Sequence, residues 1–185
     1  MCIADVSGKG MPAALLMSNV QAAVKAFASA DVEPARMCEK VNRVVCSNTA
    51  EDRFITFFYC VLDSDNRKLI YANAGHNAPI IARKDGSALR LEEGGSVLGP
   101  FPEWSFTQGE IELEAGDRVL LFTDGITEVR DSHGEEFSEE RLINLLIENR
   151  ELDAYALQTA VMTSVAEFSG GDFQDDATLI VLAVK

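Results

Sequence analysis

The sequence predicts an α+β fold in which helix pairs cover antiparallel sheets. Two helical stretches lie near the start of the chain and two more precede its last strand, and between the two pairs lie about six strand-like segments joined by turns. A length of 185 residues fits one domain, and a hydrophobic content of 47% is enough to bury a core. We therefore expect a single α+β domain over residues 1–185.

The first part of the chain is predicted to be a strand, a turn and two helices. Residues 1–6 form a short apolar run that carries Asp5 near its end, which is typical of a buried strand. The glycines of Ser7–Gly10 indicate a turn. Apolar residues then recur at helical spacing over 13–30 and over 33–48, so both stretches are predicted helices.

The middle of the chain changes to the composition of strands. Aromatic and β-branched residues dominate, and turn residues separate the segments. Asp85-Gly86 is typical of a hairpin turn, and the glycines and prolines of 92–104 indicate a loop. The predicted strands cover residues 54–62, 68–74, 78–83, 89–91, 105–113 and 118–122.

Two further helices and a strand are predicted at the end of the chain. Ser138 and Asp153 are suitable N-caps, since their side-chain oxygens can accept from an amide of the first helical turn. These helices are predicted to reach about residues 149 and 168. A Gly- and Asp-rich loop over 169–176 then leads into a last strand over 177–184.

Charge and cysteine content exclude several classes of protein. A net charge of −14 argues against a nucleic-acid partner, because phosphate contacts need clustered Lys and Arg. The four cysteines lack the CxxC spacing of zinc or thioredoxin-like sites and are expected to be free thiols. Neither a signal peptide nor a membrane-length apolar run is visible, so we expect a cytoplasmic protein without a membrane segment.

Three aspartates stand at predicted strand ends, each in or beside a turn: Asp5, Asp124 and Asp175. Carboxylates held at strand ends can converge from distant parts of a chain, and Mg²⁺ and Mn²⁺ prefer oxygen ligands. Aspartate beside glycine is also a common turn signal that needs no metal. The spacing alone leaves both interpretations open.

Four motifs in this order resemble those of one bacterial family, the stage-II-sporulation-protein-E-like branch of the PPM phosphatases. The resemblance implies an antiparallel β-sandwich flanked by helix pairs in α-β-β-α layers, with a two-metal Mn²⁺ or Mg²⁺ centre. The motifs are Asp5-Val-Ser-Gly-Lys-Gly-Met-Pro-Ala-Ala14, Asn73-Ala-Gly-His-Asn-Ala-Pro79, Gly116-Asp117 with Thr123-Asp-Gly-Ile-Thr-Glu128, and Asp175-Asp-Ala-Thr178.

The resemblance also assigns roles to individual residues. Asp5 would bridge both metals, the Val6 carbonyl would bind one of them, and Asp124 and Asp175 would complete the shell of the other. Water activated by the metals would attack a phosphoserine or phosphothreonine in line, without a phosphoenzyme. His76 would have a structural hydrogen-bonding role. Residues expected to support the ligands or to contact phosphate or a partner are Asp176, Lys9 and Gly125.

The resemblance further suggests partners and one departure from the family. The expected substrate is a phosphorylated regulatory protein, an anti-sigma-factor antagonist, and an upstream sensor or receiver domain would control the enzyme; a homodimer is compatible with this. Family members begin earlier, with a further strand and another acidic residue. We therefore expect this chain to lack the usual first strands and to have an incomplete second metal site. An active phosphatase and a catalytically impaired regulatory binding module are both retained as hypotheses.

Overall fold

The structure of the protein is a computed structural model that describes residues 1–29, 32–48 and 53–185. These residues form two compact units, the first comprising Met1–His76 with Glu92–Glu112 and the second Asn77–Leu91 with Leu113–Lys185. The single domain over 1–185 stays a prediction. In chain order the elements are β1 (Cys2–Val6), α1 (Met11–Phe27), α2 (Pro34–Asn48), β2 (Ile55–Asp63), β3 (Lys68–Ala74), β4 (Ile80–Ala82), β5 (Ala88–Arg90), β6 (Gly94–Gly95), β7 (Gly109–Glu112), β8 (Arg118–Phe122), α3 (Asp124–Thr127), α4 (Glu139–Glu148), α5 (Ala154–Ser169) and β9 (Leu179–Ala183).

The first unit is a sheet covered by α1 and α2. Its strands run in the order β1-β2-β3-β6, and β7 also pairs with β3. All pairs are antiparallel except β3 with β6. The apolar faces of both helices pack against β2 and β3 in one hydrophobic cluster that includes Leu16, Val41 and Phe57. This burial is what the helical spacing of apolar residues predicts.

Both predicted helices of this unit are confirmed. Helix α1 begins after Gly10, whose φ of 82° suits glycine, and it has a proline in its first turn. It ends at Phe27, and part of the longer helix predicted up to Ala30 lies outside the described residues. Helix α2 runs from Pro34 to Asn48, within one residue of the predicted range.

The short strand β6 lies inside the predicted loop and was not predicted. Gly94 pairs in parallel with Asn73, and a Cβ atom at Gly94 would lie 1.9 Å from the Asn73 carbonyl oxygen. The pairing therefore needs glycine. Further along this segment, the Asn42 side chain accepts from the Gly99 amide at 2.9 Å and donates to the Phe101 carbonyl at 2.8 Å. These contacts attach the segment to α2.

The second unit is an antiparallel sheet covered by α4 and α5. Its strands run β5-β4-β8-β9, and their apolar side chains form one core with those of the helices. Both predicted caps are confirmed, because Ser138 accepts from the Arg141 amide and Asp153 from the Ala156 amide. The predicted α+β class, with antiparallel sheets and helix pairs, is also confirmed.

All four cysteines are free thiols, as the sequence predicts. Burial raises the pKa of Cys38 to about 12 and that of Cys60 to about 11, so both thiols stay protonated at neutral pH. Within the described ranges, every helix is too short or too polar to cross a bilayer.

Candidate metal centre

Asp124 follows a strand of the second unit, β8, whose five residues are all buried. The Thr123 hydroxyl donates to the Asp176 carbonyl and accepts from the Thr178 amide, both at 2.9 Å. The Thr123 amide also donates to the Thr178 carbonyl at 3.1 Å. The end of β8 is therefore attached to the segment that carries Asp175, and two acidic residues 51 positions apart in the chain are brought to neighbouring backbone.

The chain turns into the short helix α3 at Asp124 instead of a simple turn. The Glu128 amide donates to the Asp124 carbonyl at 2.8 Å. The side chains of Asp124 and Glu128 therefore lie one helical turn apart. Gly125 lies against the Asp175 segment, since a Cβ atom there would lie 2.6 Å from the Asp176 carbonyl oxygen. A residue with a side chain at this position would push the two segments apart.

A cavity of about 350 Å³ opens between α3 and the loop before β9. Burial raises the pKa of Glu128, which lies in this cavity, and the negative charge of Asp124 raises it further. Glu136 and Asp175 act in the same direction, whereas the positive charge of Arg130 opposes them. The carboxylates at the cavity are therefore close enough to repel one another. The cavity is lined by Asp124, Gly125, Glu128, Val129, Arg130, Gln174 and Asp175.

The donor set at this cavity fits part of a divalent-cation site. Asp124 and Asp175 supply carboxylate oxygens, the ligand type that Mg²⁺ and Mn²⁺ prefer, and a cation would offset their repulsion. In the described part of the chain, no group of three or more His, Cys, Asp or Glu side chains is arranged as a complete metal cage. Mg²⁺ is commonly held by one or two carboxylates while it keeps several waters, so a partial set is compatible with binding.

The other predicted ligands belong to the first unit. Asp5 lies in β1 opposite Thr56, and Val6 is the last residue of that strand. Lys9 is exposed in the turn that follows. Because these residues lie in a different compact unit from Asp124 and Asp175, the joint site stays a prediction.

His76 is held by hydrogen bonds within the first unit. Its Nδ1 atom lies 2.8 Å from the Thr56 hydroxyl, and its backbone exchanges hydrogen bonds with the Asn73 side chain. The residue is 6% exposed. These contacts match the structural role expected of it and attach it to the residue that lies opposite Asp5 in the sheet.

Three polar residues of the cavity were given no role from the sequence: Glu128, Arg130 and Gln174. Glu128 follows Asp124 by four residues, a signal that becomes readable only if the segment after β8 is helical. The Gln174 side chain accepts from the Arg130 amide at 3.2 Å, a contact between residues 44 positions apart. Spacing in the sequence does not indicate such a contact.

Replacing Gly125 by alanine is expected to destabilise the protein by about 1–3 kcal/mol, because the added methyl group overlaps backbone atoms of Asp176. Helix propensity alone would make alanine more stabilising than glycine by about 1 kcal/mol. The sign of the change in the free energy of unfolding therefore tests the contact. Urea denaturation measures the effect. Gly86→Ala shows the cost of backbone strain without overlap, since that turn glycine has a φ of 88°, which is strained for alanine, but only one atom within 4 Å of an added Cβ, at 3.9 Å. A Gly125→Ala protein as stable as the unmodified chain would show that the two segments are not in contact.

Comparison with known proteins identifies the family of the chain. The family model for Stage II sporulation protein E (SpoIIE) matches residues 1–185. Phosphoserine phosphatase RsbU of Bacillus subtilis (strain 168) is 36% identical over 187 residues, covering 100% of this chain and 55% of that protein. Phosphoserine phosphatase RsbP of the same strain is 23% identical, covering 99% of this chain and 45% of that protein. The chain thus spans about half the length of these relatives.

Solved structures show the same fold. The SiaA-PP2C domain of Pseudomonas aeruginosa matches with a TM-score of 0.83 at 21% identity, covering 100% of this chain and 75% of that one. RsbX, solved in complex with magnesium, matches with a TM-score of 0.70 at 16% identity, covering 97% of this chain and 78% of that one. The SiaA-PP2C match thus shows a fold shared with a PP2C domain, and because the family model covers its whole length, the chain belongs to the Stage II sporulation protein E (SpoIIE) family.

Proposed function

We propose that this chain is the catalytic part of a metal-dependent protein serine/threonine phosphatase. The observation that carries the proposal is the meeting of Asp124 and Asp175 at one cavity, in a chain whose whole length matches the SpoIIE family. Two relatives are named phosphoserine phosphatases, which supports phosphoserine as the substrate residue that loses its phosphoryl group. The reaction is then hydrolysis of a phosphate monoester on a protein.

In this proposal the side chains of the second unit hold a Mn²⁺ or Mg²⁺ ion. Asp124 and Asp175 are its carboxylate ligands, and Thr123 keeps the two segments that carry them together. The Asp176 amide donates to Asp175 Oδ1 at 2.8 Å, which orients that carboxylate. When bound, the cations would supply a nucleophilic water at neutral pH and stabilise charge on the phosphoryl group.

Two further metal ligands are proposed in the first unit. Asp5 and the Val6 carbonyl are proposed as further metal ligands, as the family resemblance implies, and β1 offers a stiff support for both residues. Lys9 is proposed to contact the phosphate or the partner protein from its exposed turn. Phosphoryl transfer needs mainly positioning and charge neutralisation, which is what ligands on strand ends can provide.

The proposed substrate is a phosphorylated anti-sigma-factor antagonist. Its support is the similarity to RsbU and RsbP over nearly the whole chain. A sensor or receiver domain outside these 185 residues is proposed to regulate the enzyme. The net charge of −14 fits a protein partner better than a nucleic acid.

The proposal is tested by assaying the chain with p-nitrophenyl phosphate and with a phosphoserine protein across a Mn²⁺ titration. Hydrolysis should rise with Mn²⁺, saturate, and be reversed by EDTA. Absence of turnover with both substrates at every Mn²⁺ concentration would contradict the proposal. A metal-dependent rise in melting temperature without turnover would instead indicate a regulatory binding module.

A further inference from the structure

Arg130 lies at the same cavity as the three carboxylates. Among the described residues that line it, Arg130 is the single basic one, against Asp124, Glu128 and Asp175. A phosphoryl group carries about two negative charges at neutral pH, so these carboxylates repel it. Any positive side chain at the cavity therefore has a large influence on whether such a group can enter.

The backbone of Arg130 is held in place. It forms an antiparallel bridge with Glu136, and beside the bridge the Phe137 amide donates to the Val129 carbonyl at 2.9 Å. The Arg130 amide donates to the Gln174 side chain, next to Asp175 in the chain. Val129 is 2% exposed and Phe137 4%, so apolar packing anchors both strands of this small hairpin. A residue on such a support keeps its position relative to Asp175.

The guanidinium group of Arg130 has more N–H donors than its ion pair uses. Nη2 donates to Glu136 Oε1 at 2.7 Å, and the side chain is 58% exposed. A guanidinium carries five N–H donors in a planar fork, which matches the oxygens of a phosphate group. The ion pair with Glu136 occupies one part of the fork and leaves other N–H groups accessible to a ligand.

We propose that Arg130 binds the phosphoryl group of the substrate, which rests on the phosphatase function proposed above. Arginine stays protonated throughout, so its contribution is charge and hydrogen bonds rather than proton transfer. The alternative is that Arg130 and Glu136 form an ordinary exposed ion pair, which contributes little to the stability of the fold. Arg90 with Glu139 is such a pair in the same unit, with its arginine 48% exposed and away from the cavity.

The test compares Arg130→Ala, Arg130→Lys and Arg90→Ala with the unmodified chain on p-nitrophenyl phosphate. Loss of hydrogen bonds to a charged group should raise KM about 10- to 100-fold in Arg130→Ala, with kcat changed by less than about threefold. Lysine, which keeps the charge but not the fork, should give an intermediate KM. Arg90→Ala should leave both constants unchanged. Because this substrate has no peptide, a rise in KM reports contact with the phosphoryl group.

A second readout does not depend on turnover. With MgCl₂ present, saturating inorganic phosphate should raise the melting temperature of the unmodified chain by roughly 2–5 °C, and Arg130→Ala should lose this shift while Arg90→Ala keeps it. Turnover with an unchanged KM in Arg130→Ala would overturn the inference and leave the proposed function intact. A phosphate-dependent shift that needs Arg130, in a chain without turnover, would support the inference and remove the proposed function.

Discussion

Replacing Asp124 by alanine is expected to lower kcat/KM for p-nitrophenyl phosphate by about 1,000-fold or more at saturating Mn²⁺. The reason is that Asp124 is one of the two proposed carboxylate ligands among the three carboxylates that line the cavity. Metal-ion stabilisation of phosphoryl transfer is worth several kcal/mol, and each 1.4 kcal/mol is about tenfold in rate. Asp124→Asn, which keeps the shape of the side chain, should show nearly the same loss because the charge is what matters.

Asp172→Ala is the matched control, because Asp172 is an exposed acid in the loop that carries Asp175 but does not line the cavity. It should keep full activity. Calorimetric titration with Mn²⁺ gives a second measurement, in which Asp124→Ala should lose one binding event and Asp172→Ala none. The free energy of unfolding in the absence of metal should change by less than about 0.5 kcal/mol in both variants. Full activity in Asp124→Ala would remove Asp124 from the site.

Replacing Asp117 by alanine is expected to lower the free energy of unfolding by about 3–5 kcal/mol. Asp117 is 0% exposed, and its Oδ2 atom accepts from Arg83 Nη1 and from the Glu114 amide at 2.8 Å. The Arg83 side chain is 15% exposed. Removing the carboxylate takes the short ion pair away from a largely buried arginine and leaves the exposed Glu114 carboxylate at 4.0 Å, so the loss costs far more than the pair itself contributes. Urea denaturation followed by circular dichroism measures the loss.

Lys68→Ala is the control for this change. Lys68 forms an ion pair with Glu110 in the first unit, with side chains 37% and 54% exposed, so its loss should cost less than about 1 kcal/mol. Asp117→Asn should lower the free energy of unfolding by an intermediate amount, because its side-chain oxygen can still accept a hydrogen bond from the backbone amide of Glu114. A cost below about 1 kcal/mol for Asp117→Ala would show that Arg83 finds another partner or water when Asp117 is removed.

Elements whose signals are local could be predicted from the sequence. Helices α1 and α2 follow from apolar spacing, and the burial of Leu16 and Val41 confirms the predicted apolar faces. The caps at Ser138 and Asp153 depend on residues three positions away, so the sequence contains the whole interaction. The same holds for the turn at Gly86, whose amide donates to the Arg83 carbonyl.

Elements that depend on distant partners were missed. Strand β6 exists because Gly94 approaches Asn73, and neither residue indicates the other in the sequence. Helix α3 begins where a turn was expected. Its start is next to Thr123, whose hydroxyl bonds to a carbonyl 53 residues away. Pairings of this kind come from the topology of the sheet and not from the local preference of the chain.

For the candidate site, the sequence by itself determined the residue types and the family: four ordered motifs indicate the family, and three of them contain the aspartates proposed to hold a cation. Only the tertiary structure decided which of these meet, since the bonds of Thr123 bring Asp175 to Asp124 within one unit. The tertiary structure also places Arg130 at this cavity, where its amide donates to the Gln174 side chain. Distance in space between residues far apart in the chain is set by packing and strand pairing, and no motif records it.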